Sequence, residues 1–140
     1  MALLSTYAEI KRVLREAKVI AVLGAHTNPS KAAHYVPRYL KSEGYTIYPV
    51  NPIYLGETLF GKPVKASLSE IKTAVDVVDV FRRSEHLPGH LEEILTMKPL
   101  PKVVWFQQGI RNDEVAKQLS EAGIDVIQDR CMLADHQHLL

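Results

Sequence analysis

The residues best suited to chemistry lie where apolar runs give way to polar turns, and together they describe a receptor for an anionic group. In Val19 to Lys31, VIAVLGAHTNPSK, an apolar run breaks at Gly24 into a polar loop that ends in a lysine. Glycine permits close approach of a phosphate, and free backbone N–H groups at a turn and helix start favour anions. Lys31 adds a full positive charge beside them. The competing reading is that Gly24 only eases a tight turn and Lys31 is solvated. Three later run ends repeat the pattern: Asn51 with Pro52, Arg82 with Arg83, and Gln107 to Gly109. The set carries three cations, Lys31, Arg82 and Arg83, and no carboxylate, which points to a phosphorylated ligand. Against it stands the plain requirement that strands end in polar loops, with the two arginines solvated or paired with Glu85.

The elements that must position these groups follow from hydrophobic spacing. Val19 to Gly24, Tyr45 to Val50, Val75 to Phe81, Val103 to Phe106 and Ile124 to Gln128 are short runs rich in β-branched residues, which suits strands buried on both faces. Between them lie helical patterns. Val36, Tyr39 and Leu40 share a face ahead of Gly44, a residue suited to a helix stop. Leu87, Leu91, Ile94 and Leu95 follow Ser84, and Val115, Leu119 and Ala122 follow Asn112. At the amino terminus Thr6 and Glu9 form a capping box for a helix over about 5–17. Residues 52–63 are the least regular, with a short strand expected near Val64 and a helical turn from Ser67 to Ile71. Strands alternating with helices predict an α/β fold, a single Rossmann-like domain over 1–140 with its core at about 18–130. A mainly parallel sheet would carry helices on both faces. In such sheets ligands sit outside the carboxyl ends of the strands, where the candidate residues fall.

Composition narrows the function. With 140 residues, 46% of them hydrophobic and 24% charged, the chain supports one core. A net charge of +1 without a basic block gives no nucleic-acid footprint. No apolar run approaches the roughly 20 residues of a spanning helix, and the amino terminus lacks signal-peptide character, so neither a membrane nor an export route is expected and the expected location is cytoplasmic. One cysteine, Cys131, excludes an internal disulfide and agrees with a reducing compartment. An NAD site fits poorly: Gly24 is followed by Ala25, His26, Thr27, Asn28 and Pro29 instead of the G-x-G-x-x-G spacing, and Asn51 stands where an acidic residue would hold the ribose.

Several segments in order, VLGAHTNPSK, GYTIYPVNP, VDVVDVFRRSEH, VWFQQGIRN and DRCM, resemble successive motifs of the bacterial CoA-binding domain family, from about Lys18 to His136. That family is similar to the amino-terminal domain of succinyl-CoA synthetase α subunits. The resemblance implies a Rossmann-like fold and coenzyme A, free or acylated, as ligand. By position it implies that Gly24, Ala25, His26 and Thr27 with Lys31 face the nucleotide phosphates. Asn51 and Pro52 would border the adenosine end, Phe81 and Arg82 would flank the pantetheine or diphosphate, and Gln107 and Gly109 would close the site. At this length the chain resembles the binding module alone, without the phosphohistidine, ligase or ATP-grasp parts of a synthetase.

Other residues invite chemistry less strongly. His86 and His90 are four apart on an expected helix, but no third ligand is near, and Pro88 with Gly89 weakens the chelating geometry. His136 and His138 fall in a carboxyl-terminal tail expected to fray. No metal site is assigned. Cys131 beside Arg130 is either a reactive thiolate or a small packed residue next to Met132. Trp105 and Phe106 are read as packing. No Ser-His-Asp set, carboxylate pair or Walker loop can be assembled, so no catalytic residue is named. The leading expectation is a stand-alone CoA-binding protein without catalysis of its own. An NAD(P)-using enzyme and a regulatory module acting through a protein partner are the alternatives; oligomeric state is not legible.

Overall fold

Five apolar runs of the expected kind form a parallel sheet in the computed structural model, which describes residues 2–140. The strands are β1 (Val19–Leu23), β2 (Thr46–Val50), β5 (Val77–Val80), β6 (Val103–Phe106) and β7 (Asp125–Ile127), in the spatial order β2-β1-β5-β6-β7. Every neighbouring pair is parallel, with registers such as Ala21 beside Val78 and Val78 beside Val104. β6 coincides with the apolar run that announces it, and the other four strands are one to three residues shorter than theirs. A two-stranded hairpin, β3 (Thr58–Leu59) with β4 (Lys62–Pro63), occupies the irregular stretch, turning at Phe60 and Gly61, both at positive φ. This hairpin replaces the single strand expected near Val64, while the expected helical turn exists as a 3₁₀ turn at Leu68–Glu70.

Helices cover both faces. α1 (Tyr7–Glu16), α2 (Ala32–Ser42) and α5 (Met132–Leu139) enclose a core that includes Ile10, Leu14, Ile20, Val36, Leu40, Trp105 and Met132. On the other face α3 (Leu87–Leu95) and α4 (Asp113–Glu121) join the 3₁₀ turn over Ala21, Leu68, Val78, Ile94, Phe106 and Leu119. Trp105 and Phe106 are both fully buried and point to opposite faces, as successive strand residues must. The capping box opens α1: the Thr6 hydroxyl accepts from Glu9 N–H, and the Glu9 carboxylate accepts from Thr6 N–H. Among the described residues no helix is long and apolar enough to cross a membrane.

Two features explain how the sequence tolerates awkward residues. Pro49 lies inside β2, which is an edge strand. Its carbonyl accepts the Lys65 N–H on the outer side, so the donor that proline lacks would have faced outward and no ladder bond to β1 is lost. The carboxyl-terminal segment corrects the expectation of fraying. It forms α5, held by hydrogen bonds from Arg130 Nε and Nη2 to both Asp135 carboxyl oxygens at 2.7 Å, and by His136 Nδ1 at 2.8 Å from the Tyr39 hydroxyl. The chain start is also engaged, because Leu4 N–H donates to Val126 and Val126 N–H donates to Ala2, extending the sheet at the β7 edge.

Asp79 sits at the centre of β5, between Val22 and Trp105, with no exposed surface. Neither carboxyl oxygen has a hydrogen-bond partner on the protein among the described residues. Burial alone pushes its pKa well above the ordinary value of 3.8, so the native protein favours the neutral acid. The unfolded chain ionises first as pH rises, and stability is lost progressively from about the ordinary carboxylate range up through the raised native value. Asp79→Asn removes that titration while keeping the shape. Chemical denaturation should find its stability relative to wild type increasing as pH rises above about 4, by up to about 1.4 kcal/mol for each pH unit until the native group ionises; parallel curves for the two proteins would show that Asp79 does not ionise on unfolding.

Candidate functional site

The chain leaves β1 toward β2 on one side and later returns to β5 on the other, so the carboxyl ends of β1 and β5 flank the point where strand order reverses. The residues there are Gly24 and the pair Phe81 and Arg82. Gly24 adopts φ +92°, and a Cβ added to it would lie 2.7 Å from the Phe81 carbonyl oxygen and 3.0 Å from Arg82 Cδ. Glycine is therefore required twice, by the backbone conformation and by the approach of the neighbouring chain.

A cleft of about 830 Å³ opens above this point, within the range of small-molecule sites. One wall is the loop after β1 and the first turn of α2, with Gly24, His26 and Lys31. The loop is wired internally: His26 Nδ1 accepts the Asn28 N–H at 2.9 Å, and Asn28 Oδ1 accepts the Ser30 N–H at 3.0 Å and the Ser30 hydroxyl at 2.9 Å. Pro37, inside α2, has no N–H to offer the Ala33 carbonyl four residues back, and that carbonyl instead accepts from His26 N–H at 3.3 Å. The helix proline thus leaves a docking point for the loop. Among the described residues no side chain caps the start of α2 at Lys31, and Ala32 and Ala33 line the cleft there. An uncapped helix start carries partial positive charge and suits an anion.

The opposite wall comes from Phe81, Arg82 and Arg83 after β5, and the far end from Gln107 and Gly109 after β6. Lys31, Arg82 and Arg83 therefore share one cleft, although they are about fifty residues apart in sequence. Arg83 approaches Glu85 only at 3.9 Å in a highly exposed pair, so it keeps most of its capacity for another anion.

Three expected residues, Ala25, Thr27 and Pro52, lie outside the cleft lining, and two that line it also pin backbone. Ala25 is fully buried in the core beneath the loop, and Thr27 is half-buried away from the cleft. Pro52 lines a smaller crevice of about 100 Å³ beside the main one. Asn51 lines the cleft, but it is nearly buried and its amide pins backbone: Nδ2 donates to the Ala25 carbonyl at 2.9 Å, and Oδ1 accepts the Ile53 N–H at 3.0 Å. Its side-chain carbonyl caps the 3₁₀ turn Pro52–Tyr54 and ties the β2 end to the loop after β1. Gln107 Oε1 accepts the Met132 N–H at 3.1 Å, which docks the start of α5 against the site.

Other residues line the cleft as well, of which only Cys131 was singled out from the sequence, for its thiol. Ile53, which is 75% exposed, and Tyr54 border the cleft from the turn after β2, with the Tyr54 hydroxyl 3.1 Å from His26 Nε2. Ser84 lines it too, its hydroxyl accepting the Arg111 N–H at 3.0 Å. Cys131 stands at the cleft as the residue before α5, half-buried. No local pattern announces their convergence, because only the closed sheet brings residues 53, 84 and 131 together. Of the two histidine pairs, His136 Nδ1 lies 2.8 Å from the Tyr39 hydroxyl and His138 Nδ1 2.7 Å from the Ala134 carbonyl. His86 is exposed, while His90 bonds to Glu93 at 2.9 Å and to Arg82 at 3.3 Å.

A model of the CoA binding domain family matches residues 18–137. The uncharacterized protein YneT of Bacillus subtilis is 45% identical over 130 residues, covering 92% of this chain and 93% of that protein. A solved structure from Thermus thermophilus superposes with a TM-score of 0.92 at 49% identity, covering 97% of this chain and all of the other. A hypothetical protein from Pyrococcus horikoshii gives 0.88 at 35% identity, covering 96% and 92%.

The contact at Gly24 generates a stability prediction. Gly24→Ala should destabilise the fold by roughly 2 to 4 kcal/mol, combining positive-φ strain with forced separation of the β1 and β5 ends. A matched substitution at Gly123, where an added Cβ meets nothing within 4 Å, shares the positive φ without the clash. Thermal melts should place Gly24→Ala clearly below Gly123→Ala, and equal losses would remove the close approach as the cause.

Proposed function

The chain belongs to the CoA-binding domain family, and from that premise we propose that it holds coenzyme A or an acyl-CoA in the cleft at the carboxyl end of the sheet, as a binding protein without catalysis of its own. One observation carries the reading: Lys31, Arg82 and Arg83 line a single open cleft beside the uncapped start of α2. Coenzyme A bears a diphosphate and a ribose phosphate, and this cluster offers charge-assisted bonds to them, with arginine able to engage phosphate through two parallel N–H donors. The polar and apolar loop surface from Ile53 to Tyr54 and from Gln107 to Ile110 suits the rest of a long ligand that combines an adenine ring with an amide-bearing arm.

A dinucleotide reading draws less support. Its ribose would look to the end of β2 for a carboxylate, and Asn51 there has its carbonyl and one amide hydrogen committed to backbone partners. A regulatory role through a partner protein is compatible with the same cleft and would be read from copurification.

Titration calorimetry of ligand-stripped protein with CoA, acetyl-CoA, NAD, NADP, ADP and ATP in one buffer tests the proposal. Saturable CoA binding with little NAD response is expected, and selective NAD or NADP binding would replace it with the dinucleotide reading. Lys31→Ala and Arg82→Ala should each weaken CoA binding by about 1.5 to 3 kcal/mol, the usual worth of a well-formed hydrogen bond to a charged group. Unchanged affinity in both folded variants would move the ligand out of this cleft.

A further inference from the structure

Arg82 enters the cleft with its guanidinium already engaged from behind. Its Nε donates to His90 Nε2 at 3.3 Å, and His90 Nδ1 lies 2.9 Å from Glu93 Oε1. Glu93 Oε2 in turn accepts the Leu68 N–H at 2.8 Å, anchoring the series in the 3₁₀ turn of the neighbouring segment. The assignment of protons follows from the partners. Nε2 must be bare to accept from arginine, so the ring proton sits on Nδ1 and is donated to the carboxylate. Burial works against the charge on Glu93, but the His90 bond, the Leu68 N–H and the nearby Arg82 hold its pKa below the ordinary value, keeping it an acceptor.

His90 does not line the main cleft. It faces the small crevice of about 100 Å³ that also contains Gly24, Asn51, Pro52 and Arg82. A ligand in the cleft therefore meets Arg82 and not the histidine. We infer that His90 and Glu93 are positioning residues that fix the rotamer of Arg82, so that Nε is held by His90 while the terminal nitrogens are presented to a phosphate in the cleft. This inference rests on the CoA reading of the same site. A long, flexible arginine loses rotamer freedom when it binds, and a partner that immobilises it beforehand removes part of that cost. The arrangement also accounts for His90 without a metal: its two nitrogens are occupied by an arginine and a glutamate.

A double-mutant cycle on CoA binding tests it, using the intact chain and the variants Arg82→Ala, His90→Phe, Arg82→Ala with His90→Phe, and His90→Gln. Phenylalanine keeps the ring volume and removes both nitrogens, whereas glutamine retains an acceptor for Arg82 and a donor for Glu93. Thermal melts check that each variant is folded, and His90→Leu replaces His90→Phe if the latter does not fold. His90→Phe should weaken CoA binding about three- to tenfold in the wild-type background and less than about twofold once Arg82 is alanine, the non-additivity expected of residues acting as one unit. His90→Gln should restore most of the loss. Equal losses from His90→Phe in both backgrounds, no loss at all, or no rescue by glutamine would overturn the positioning role while leaving the cleft as the CoA site. An unchanged affinity in Arg82→Ala would instead remove Arg82 from the site, and the inference with it.

Discussion

The missing side chain at Gly24 is the constraint from which the rest of the site follows. A Cβ there would lie 2.7 Å from the Phe81 carbonyl, so the end of β1 and the end of β5 lie closer than any other residue type allows. Gly24 N–H donates to the Val50 carbonyl at 2.8 Å, and Phe81 N–H donates to the Leu23 carbonyl at 2.9 Å, which carries the strand ladder up to the last residue before the chains part. Beyond that point the two loops must diverge, because one runs into α2 and the other toward α3. Their divergence is the cleft. The cations stand at its rims because the positions after a strand end are the first that can reach solvent while remaining fixed by the sheet beneath.

The positive groups in the cleft contrast with the treatment of charge elsewhere. At the opposite end of the sheet Asp76 accepts the Lys18 and Val19 N–H groups at 2.9 Å each and pairs with Lys102 at 3.4 Å. Arg130 and Asp135 neutralise each other through two hydrogen bonds. Those charges are spent on structure. Arg82 is bonded to a neutral-tautomer imidazole and Arg83 only loosely to an exposed glutamate, so the cluster retains unmet demand for negative charge. That difference separates a binding surface from a stabilising ion-pair network more sharply than a count of basic residues does.

Much of this was legible in the sequence. The five strand runs, the capping box at Thr6 and Glu9, and the gathering of Lys31, Arg82, Arg83, Gln107 and Gly109 at strand ends follow from periodicity and from the geometry of parallel sheets. What sequence could not deliver was the direction in which a side chain spends its hydrogen bonds. Asn51 reads as a ligand-facing amide; it lines the cleft and also pins backbone with its amide, while Ala25 in the same motif as Gly24 turns into the core. The tail around His136 has weak amphipathic patterning, and it is held by the nearby Arg130–Asp135 pair and by Tyr39, ninety-seven residues away, which no local window connects to it. Asp79 looks like a polar interruption of an apolar strand, and only the closed sheet shows that it has neither solvent nor, among the described residues, a hydrogen-bond partner.

The cleft is assembled from five separated segments, after β1, β2, β5 and β6 and before α5, and that distribution has a consequence for how it is held. No single loop encodes the site, so its geometry is set by inter-segment pins: Asn51 to Ala25, Gln107 to Met132, and His90 to Arg82. Each pin joins a strand-end residue to a different segment through a side chain that is at least half-buried, where a hydrogen bond is shielded from competing water. The loops can then remain short and polar without being slack. A rim built this way fixes the backbone from which its cations extend, so less of the site has to be ordered when it is filled.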